Sequence, residues 1–479
     1  MASQAKPTVL ILGGGPSGMA AAMELYKKDI PFEVVEKNDR VGGLARTIEF
    51  GEFRTDIGPH RFFSKNQYLY SFIEELLGEE WILVNRFTRF YANGTLFKYP
   101  NDLTEVLTKF GPLNLLHAVA DFSSERIRSR LLPRKINSFE DYAVSNFGRT
   151  LAQVNIINYT EKVWGLPCAQ ISVEWAKQRI QGLSIRAIIE KNLLRKSGPK
   201  SLVDQFYYPD NGTGTIYESI QRKVEKKNPI HLHSHPTRVK HDGNRITEVE
   251  FVSEEGKKTT EKPDWLLTSI PMPEFVNILE PRPPQHVLDA LAKLKYRSQV
   301  FLFITFDKES ISPDQWIYFP PKEIPFGRIS EMKNFSKKLS PPGKTSLMIE
   351  FFCWEGDETW TMEKEKLFEQ TIAWLEKLNF VKREEVMQYY LHRQRNVYPV
   401  YDVGYEKNLQ AVKDYLNQFE NLEYMGRPGR FKYTNQDHSL EMGILAARTI
   451  IEGKKYDLDL VGSENEYFEK GTIGKQNVY

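Results

Sequence analysis

The chain has 479 residues, with 65 Lys and Arg against 63 Asp and Glu, so its formal net charge is +2. That length suggests about three domains and buries a core without disulfides, and the neutral balance offers no footprint for nucleic acid. Two distant cysteines, Cys168 and Cys353, exclude a disulfide scaffold and a cysteine zinc site, and no apolar run approaches the ~20 residues of a membrane span. Met1–Thr8 is too polar for a signal peptide, so the expected protein is a cytoplasmic enzyme with no metal and no nucleic-acid partner.

Thr8–Leu12 is a short apolar run that ends in Gly13-Gly-Gly-Pro-Ser-Gly18, and an alanine-rich helix is expected over Met19–Lys27. Phe32–Glu36 reads as a second buried strand, completing a βαβ unit. Arg89–Phe97 reads as a hairpin turning at Asn93-Gly94. From about Asp102 to Leu194 the apolar spacing is helical, followed by a basic Gly-Pro loop at Arg195–Lys200. Strands are expected at Ile230–His235, Ile246–Val252, Trp265–Ser269, Val300–Phe306, Ser346–Phe352 and Met387–Leu391. An amphipathic helix over Glu363–Leu378 places Leu367, Trp374, Leu375 and Leu378 on one face, and Ser463–Tyr479 is a polar tail.

Gly13, Gly15 and Gly18 form G-x-G-x-x-G between the first strand and the first helix, with Pro16 and Ser17 inside the turn. The first glycine permits the turn, the second admits a pyrophosphate, and the third allows close helix–strand packing. The helix N-terminus then favours the anion. Glu36, with Lys37 beside it, closes the second strand 18 residues after Gly18, where an acid accepts hydrogen bonds from ribose hydroxyls and repels a 2′-phosphate.

Arg40-Val-Gly-Gly-Leu-Ala-Arg46 resembles the second glycine doublet of the large flavoprotein class that holds amine oxidases, phytoene desaturases and protoporphyrinogen oxidases. The resemblance implies FAD, with Gly43, Leu44 and Arg46 against its pyrophosphate. Thr237-Arg-Val-Lys240, followed by Trp265–Ser269, resembles the part of that FAD domain that returns to cover the adenine, which puts Val239 at the cofactor. The fold class implied is α/β: a discontinuous Rossmann-type FAD-binding domain with an inserted helical domain and an antiparallel-sheet substrate domain.

Asp56-Ile-Gly-Pro-His-Arg-Phe-Phe-Ser64 resembles the flavin-facing segment of the UDP-galactopyranose mutases, and the likeness runs in order through Arg86, Tyr99-Pro100, Lys162-Val-Trp-Gly-Leu-Pro167, Trp175-Ala-Lys-Gln-Arg179, Tyr208–Gly214, Tyr318-Phe-Pro, Pro325-Phe-Gly-Arg328, Tyr398-Pro399, Arg427 and Asn435-Gln-Asp-His-Ser439. It is similar to the eukaryotic type over roughly residues 8–452. Three departures from the family pattern matter: Thr160 stands for an asparagine at the nucleobase, Phe335 for a pyrophosphate tyrosine, and the pair Asn101-Asp102 for Phe-Gln at uridine.

The resemblance divides the chain into FAD-binding pieces at 1–80, 205–275 and 420–460, a hairpin of the sheet domain at 81–100, a helical substrate domain at 101–204, an antiparallel-sheet substrate domain at 276–419, and a tail at 461–479. It implies that Gly58, Pro59 and His60 lie at the flavin ring, that Arg427 contacts the flavin carbonyl edge, and that Asn435, Gln436 and Ser439 hold the cofactor. Arg179 and Arg328 would bind the diphosphate and, with His60, form the catalytic set. Arg86, Tyr99, Thr160, Trp164, Tyr318, Tyr398 and Tyr433 would bind the remainder of the substrate. The implied reaction interconverts pyranose and furanose forms of a nucleoside-diphosphate sugar through an adduct with N5 of reduced flavin, with NAD(P)H as reductant. A net oxidation of the protoporphyrinogen oxidase or phytoene desaturase kind is the alternative, and the oligomeric state stays open.

Overall fold

The computed structural model describes residues 6–99, 112–131, 135–175 and 205–462. Arg179, Asn101-Asp102, the loop Arg195–Lys200 and the tail beyond residue 462 lie outside the described residues.

Val9–Leu12 has no polar alternation, and a strand of that kind has to be covered on both faces. It is the middle of a five-stranded parallel sheet, ordered Leu422–Tyr424, Trp265–Thr268, Val9–Leu12, Phe32–Val35, Ile230–His231. Distant stretches of chain therefore build one nucleotide-binding unit. Helix Pro16–Lys27 packs against helices Thr215–Val224 and Gln436–Glu452. Small residues let these backbones meet: Ala20, Ala21 and Ala22 are fully buried, and a Cβ on Gly443 would fall 2.0 Å from the Ser17 carbonyl oxygen.

The substrate-side sheet has seven strands, ordered Val386–Pro399, Tyr296–Phe306, Thr345–Cys353, Arg328–Glu331, Trp316–Tyr318, Thr88–Ala92, Thr95–Lys98. It is mixed rather than purely antiparallel, because Trp316–Tyr318 pairs in parallel with Thr88–Ala92. The expected hairpin closes at Ala92 and Thr95, with Asn93 and Gly94 both at positive φ as a type I′ turn requires. Side chains alternate across this sheet. Val300, Leu302, Ile304, Ile317, Ile329, Leu347 and Ile349 point one way and form a core with Leu367, Phe368, Ile372 and Leu375 of helix Lys364–Lys377. The opposite face carries Tyr318, Arg328, Glu350 and His392 toward the nucleotide-binding unit.

Strand Trp81–Asn85 leaves this sheet and pairs with Gln205–Pro209 instead. Of the helical stretch, Pro112–Leu131, Phe139–Phe147 and the run Arg149–Trp164 are described, the last with a π-helical stretch over Ala152–Ile157. Ser138 and Asp141 form a reciprocal capping box at the second of these helices, satisfying two otherwise orphaned N–H groups. Among the described residues, no helix is long and apolar enough to cross a membrane.

Candidate flavin and substrate site

A cavity of about 660 Å³ opens beyond the C-terminal ends of the parallel strands, where helices Pro16–Lys27 and Gln436–Glu452 begin. Its wall includes Gly13, Gly15, Pro16, Ser17, Glu36, Lys37, Gly43, Leu44, Arg46, His60, Arg427, Asn435, Gln436 and Ser439. Neither helix has a side-chain cap: Gly15 has none to offer, and Asn435 makes no capping bond. Two N-termini therefore present free N–H groups and positive dipole ends to one space, which suits a pyrophosphate.

The two glycine loops touch. Gly42 N–H donates to the Gly14 carbonyl at 2.8 Å, and a Cβ on Gly43 would lie 3.0 Å from Gly15 Cα. Gly15 itself has open space on its cavity side, its would-be Cβ meeting only Gly43 Cα at 3.8 Å. Glu36, almost fully buried, accepts from Gly14 N–H at 2.7 Å through Oε2 and from Asn38 N–H at 2.9 Å through Oε1. Its carboxylate is thereby fixed in the wall with lone pairs to spare for ribose hydroxyls.

Arg46 is buried, and burial lowers its pKa. It donates to the Gly43 carbonyl at 2.7 Å, to Gln394 Oε1 at 3.0 Å and to His392 Nε2 at 3.2 Å. Burial, then the Arg46 charge, push His392 down to about 4, so its Nε2 is a neutral acceptor. Among the described residues, no carboxylate pairs with Arg46. A buried cation in no direct ion pair, with the Glu36 and Asp39 charges acting on it only at a distance, fits an anionic dinucleotide beside two helix N-termini.

His60 Nε2 lies 3.0 Å from both the Leu44 and Ile57 carbonyls, so it carries the hydrogen and donates. Burial, then the charges of Arg427 and Arg328, hold this imidazole neutral with a pKa of about 4. The unfolded chain, near 6.5, takes up a proton first as the pH falls, so His60 should cost stability progressively from about pH 6.5 to 4. Melting temperatures of wild type and His60→Gln, compared from pH 7 to 5, should show the shallower loss in the variant; parallel curves would mean His60 titrates normally.

Four expected cofactor residues stand back from the cavity wall. Gly18 packs helix on strand, Gly58 takes φ +94 behind His60 with Pro59 following, and Val239 is core. For Val239 this corrects the expectation: its side chain is fully buried, on a strand pairing it with Val249 and Leu279, and Ser234, His235 and Pro236 earlier in that strand form the wall instead.

Arg328 faces Glu350 across paired strands. Nη2 donates to Glu350 Oε1 at 2.7 Å and Nε donates to Oε2, while Glu350 is fully buried. Burial would lower the Arg328 pKa, but the Glu350 carboxylate raises it well above the ordinary range. A Cβ on Gly58 would lie 3.6 Å from Glu350 Oε1 and 3.9 Å from His60 Nε2, so the pair adjoins the His60 end of the cavity.

From Arg328 an aromatic chain runs both ways. Its guanidinium sits 5.9 Å from the Tyr318 ring, and Tyr318 meets Tyr99 at 5.4 Å and Tyr159 at 5.2 Å. Tyr398 stacks on Tyr433 at 5.6 Å, and Arg427 lies over both rings at 5.2 and 5.0 Å. Arg427 also donates to the Thr434 carbonyl at 2.8 Å. Arg86 covers Tyr99 at 5.4 Å, and its buried Nη1 has no hydrogen-bond partner among the described residues.

Two expected substrate contacts are packing residues. Trp164 is 1 % exposed, wedged edge-on against Trp175 and Tyr398, so neither face is open for a nucleobase. Thr160, on the same helix, is also buried. Phe335 lies in an apolar cluster with Tyr208 and Trp316 and faces no phosphate space. Lys162 anchors this helix to the sheet, donating from Nζ to the carbonyls of Phe319, Pro321 and Ile324 at 2.6, 2.6 and 2.9 Å.

Sequence reasoning missed Glu350, Tyr159, His392 and Gln394. A signal existed for Glu350, the only charge within the apolar run Ser346–Phe352. His392 and Gln394 alternate at period two beyond Leu391, but their polarity masked the strand.

The sequence profile of the flavin containing amine oxidoreductases matches residues 16–401. Curated relatives include a 1-hydroxycarotenoid 3,4-desaturase of Flavobacterium sp. (strain P99-3), 35% identical over 106 residues, 21% of either chain. Another is a probable UDP-galactopyranose mutase of Klebsiella pneumoniae, 23% identical over 175 residues, which are 36% of this chain and 44% of the relative. The chain thus spans less than half the length of these relatives. Among solved structures, reduced UDP-galactopyranose mutase superposes with a TM-score of 0.82 at 22% identity, covering 96% of this chain and 97% of the other. A putative protoporphyrinogen oxidase from Exiguobacterium sp. 255-15 gives 0.68 at 19% identity, covering 94% and 99%. With the profile spanning the first helix, most of the cavity wall and all of the seven-stranded sheet, the chain belongs to the flavin containing amine oxidoreductases, a family that binds FAD.

Proposed function

We propose that this chain is a flavin-dependent mutase that interconverts pyranose and furanose forms of a nucleoside-diphosphate sugar. The observation that carries this reading is the Arg328–Glu350 pair, a guanidinium set in register beside Gly58 and His60 and surrounded by tyrosines. The fold likeness to reduced UDP-galactopyranose mutase supports it. Gly13, Gly15, Glu36, Gly43, Arg46, Asn435 and Gln436 would hold FAD. Bound and reduced, the flavin would supply the nucleophile that displaces the diphosphate from the anomeric carbon; NAD(P)H is the proposed reductant.

The protein's part is to hold the leaving group. Arg328 meets the charge that develops on the diphosphate, and Glu350 fixes the guanidinium so that it need not reorient as that charge grows. Tyr159 and Tyr398 stand close enough to Arg328 to feel its charge, and burial keeps both phenols protonated as donors. Arg427 adds a positive charge to the cavity wall, and Arg86, over the Tyr99 ring, and Arg179 are proposed as further ligands of the substrate, Arg179 at the diphosphate. His60, whose Nε2–H is engaged by two carbonyls, shapes the flavin edge, and its pKa of about 4, lowered chiefly by burial, makes it a weak base.

A net oxidation is the second reading, favoured by the desaturase match. It requires an apolar substrate chamber, and the buried Arg328–Glu350 pair beside His60 is an ionic group that such a chamber would have to accommodate. Incubation with a panel of nucleotide sugars, with and without dithionite, should give ring-form exchange only in the reduced protein and consume no stoichiometric hydride. Oxygen uptake matching product one-to-one would sink the mutase reading in favour of the oxidase.

A further inference from the structure

From Gln388 to Gln394, strand Val386–Pro399 pairs regularly with Tyr296–Phe306, and beyond that three residues, Arg395, Asn396 and Val397, stand opposite the single Ser298. Extra residues of this kind bend a strand and re-aim its side chains. Val397 stays buried, whereas Arg395 and Asn396 reach the wall of the dinucleotide cavity. Asn396 sits at φ +55, a left-handed conformation that asparagine tolerates better than most residues. This bent backbone delivers Asn396 Nδ2 to Glu274 Oε1 at 2.9 Å.

Glu274 belongs to helix Met272–Asn277, on the far side of the cavity, and lines the same space. Its carboxylate also lies 3.7 Å from Lys37 Nζ, next to the ribose-facing Glu36. Glu274, Lys37 and Arg395 are all solvent-exposed as well as wall residues, which puts them at the mouth rather than the floor. A hydrogen bond from the seven-stranded sheet to the nucleotide-binding unit therefore spans the opening.

We propose that Asn396 and Glu274 form a latch across the mouth of the dinucleotide cavity that sets how slowly FAD leaves. A dinucleotide held in this cavity would have to clear the Asn396–Glu274 hydrogen bond on leaving, so release would require the amide–carboxylate bond to part and the bulge to swing from the helix. The latch holds the cofactor whichever reaction the flavin performs, so its test is independent of the mutase reading.

The test uses the holoprotein and reads FAD release after dilution, by the rise of free-flavin fluorescence, with melting temperature as a check on folding. Asn396→Gly keeps the left-handed backbone accessible but removes the amide, and Glu274→Ala removes the acceptor. Each should release FAD roughly tenfold faster than wild type, the scale of one hydrogen bond to a charged group, and the double variant no faster than either single one. Asn396→Asp, which sets two carboxylates face to face, should release fastest and be slowed again by salt. Wild-type release rates in Asn396→Gly and Glu274→Ala would overturn the latch. So would single effects that multiply in the double variant, because the two residues would then act independently.

Discussion

Replacing Arg328 by alanine should weaken nucleoside-diphosphate binding by roughly 1.5–3 kcal/mol, the range for hydrogen bonds to a charged group. It should also destabilise the protein, because Glu350 is fully buried and would lose its counter-ion. Breaking a buried pair from one side costs about 3–5 kcal/mol, most of it the penalty of the charge left behind. The two losses can be separated. Arg328→Ala combined with Glu350→Gln leaves no uncompensated charge, so thermal stability should largely return while diphosphate affinity stays low. Calorimetric titration with nucleoside diphosphates and melting curves on the wild type and the two variants measure both. Recovery of affinity in the double variant would mean that Arg328 merely neutralises Glu350 and touches no ligand. Arg179→Ala should likewise lower affinity by roughly 1.5–3 kcal/mol without changing FAD content.

Two glycines of the same turn should fail in opposite ways. A Cβ on Gly18 would fall 1.9 Å from the Gly13 carbonyl oxygen, backbone against backbone, with no side chain free to move aside. Gly18→Ala should therefore force helix Pro16–Lys27 away from strand Val9–Leu12, at or above the 1–3 kcal/mol usual for overpacking, about 3 kcal/mol. Gly15 has an ordinary φ of −75° and open space on its cavity side. Alanine there should leave the melting temperature of FAD-free protein unchanged yet reduce FAD loading, because the methyl occupies room a pyrophosphate needs. Absorbance stoichiometry of flavin to protein and melting of the stripped proteins distinguish the two. Equal loading in Gly15→Ala and wild type would remove the pyrophosphate from that position.

What could be read directly from the residues was local and periodic. Val9–Leu12, the glycine turn, the helix after it and Glu36 announce a nucleotide-binding unit because each link spans few residues and has one low-energy conformation. The hairpin at Asn93-Gly94 and the face of helix Lys364–Lys377 were legible for the same reason. Strand Val386–Pro399 was seen only in its first part, since His392, Arg393, Gln394 and Arg395 break the apolar pattern where the strand borders a cavity instead of a core.

Only the tertiary structure decided which side chains share the site. Nothing local says that Glu350 stands opposite Arg328, because cross-strand register depends on how three separate strands stack. Nor can spacing tell a tryptophan that packs from one that binds: Trp164 is enclosed by Trp175 and Tyr398, which arrive from elsewhere in the chain. The same holds for Val239, whose strand reaches the cavity three residues too early. Chemistry-bearing residue types were visible in the sequence. Their assembly was not, because burial and pairing are set by contacts between residues hundreds of positions apart, as where Arg46 meets Gln394 and Asn396 meets Glu274.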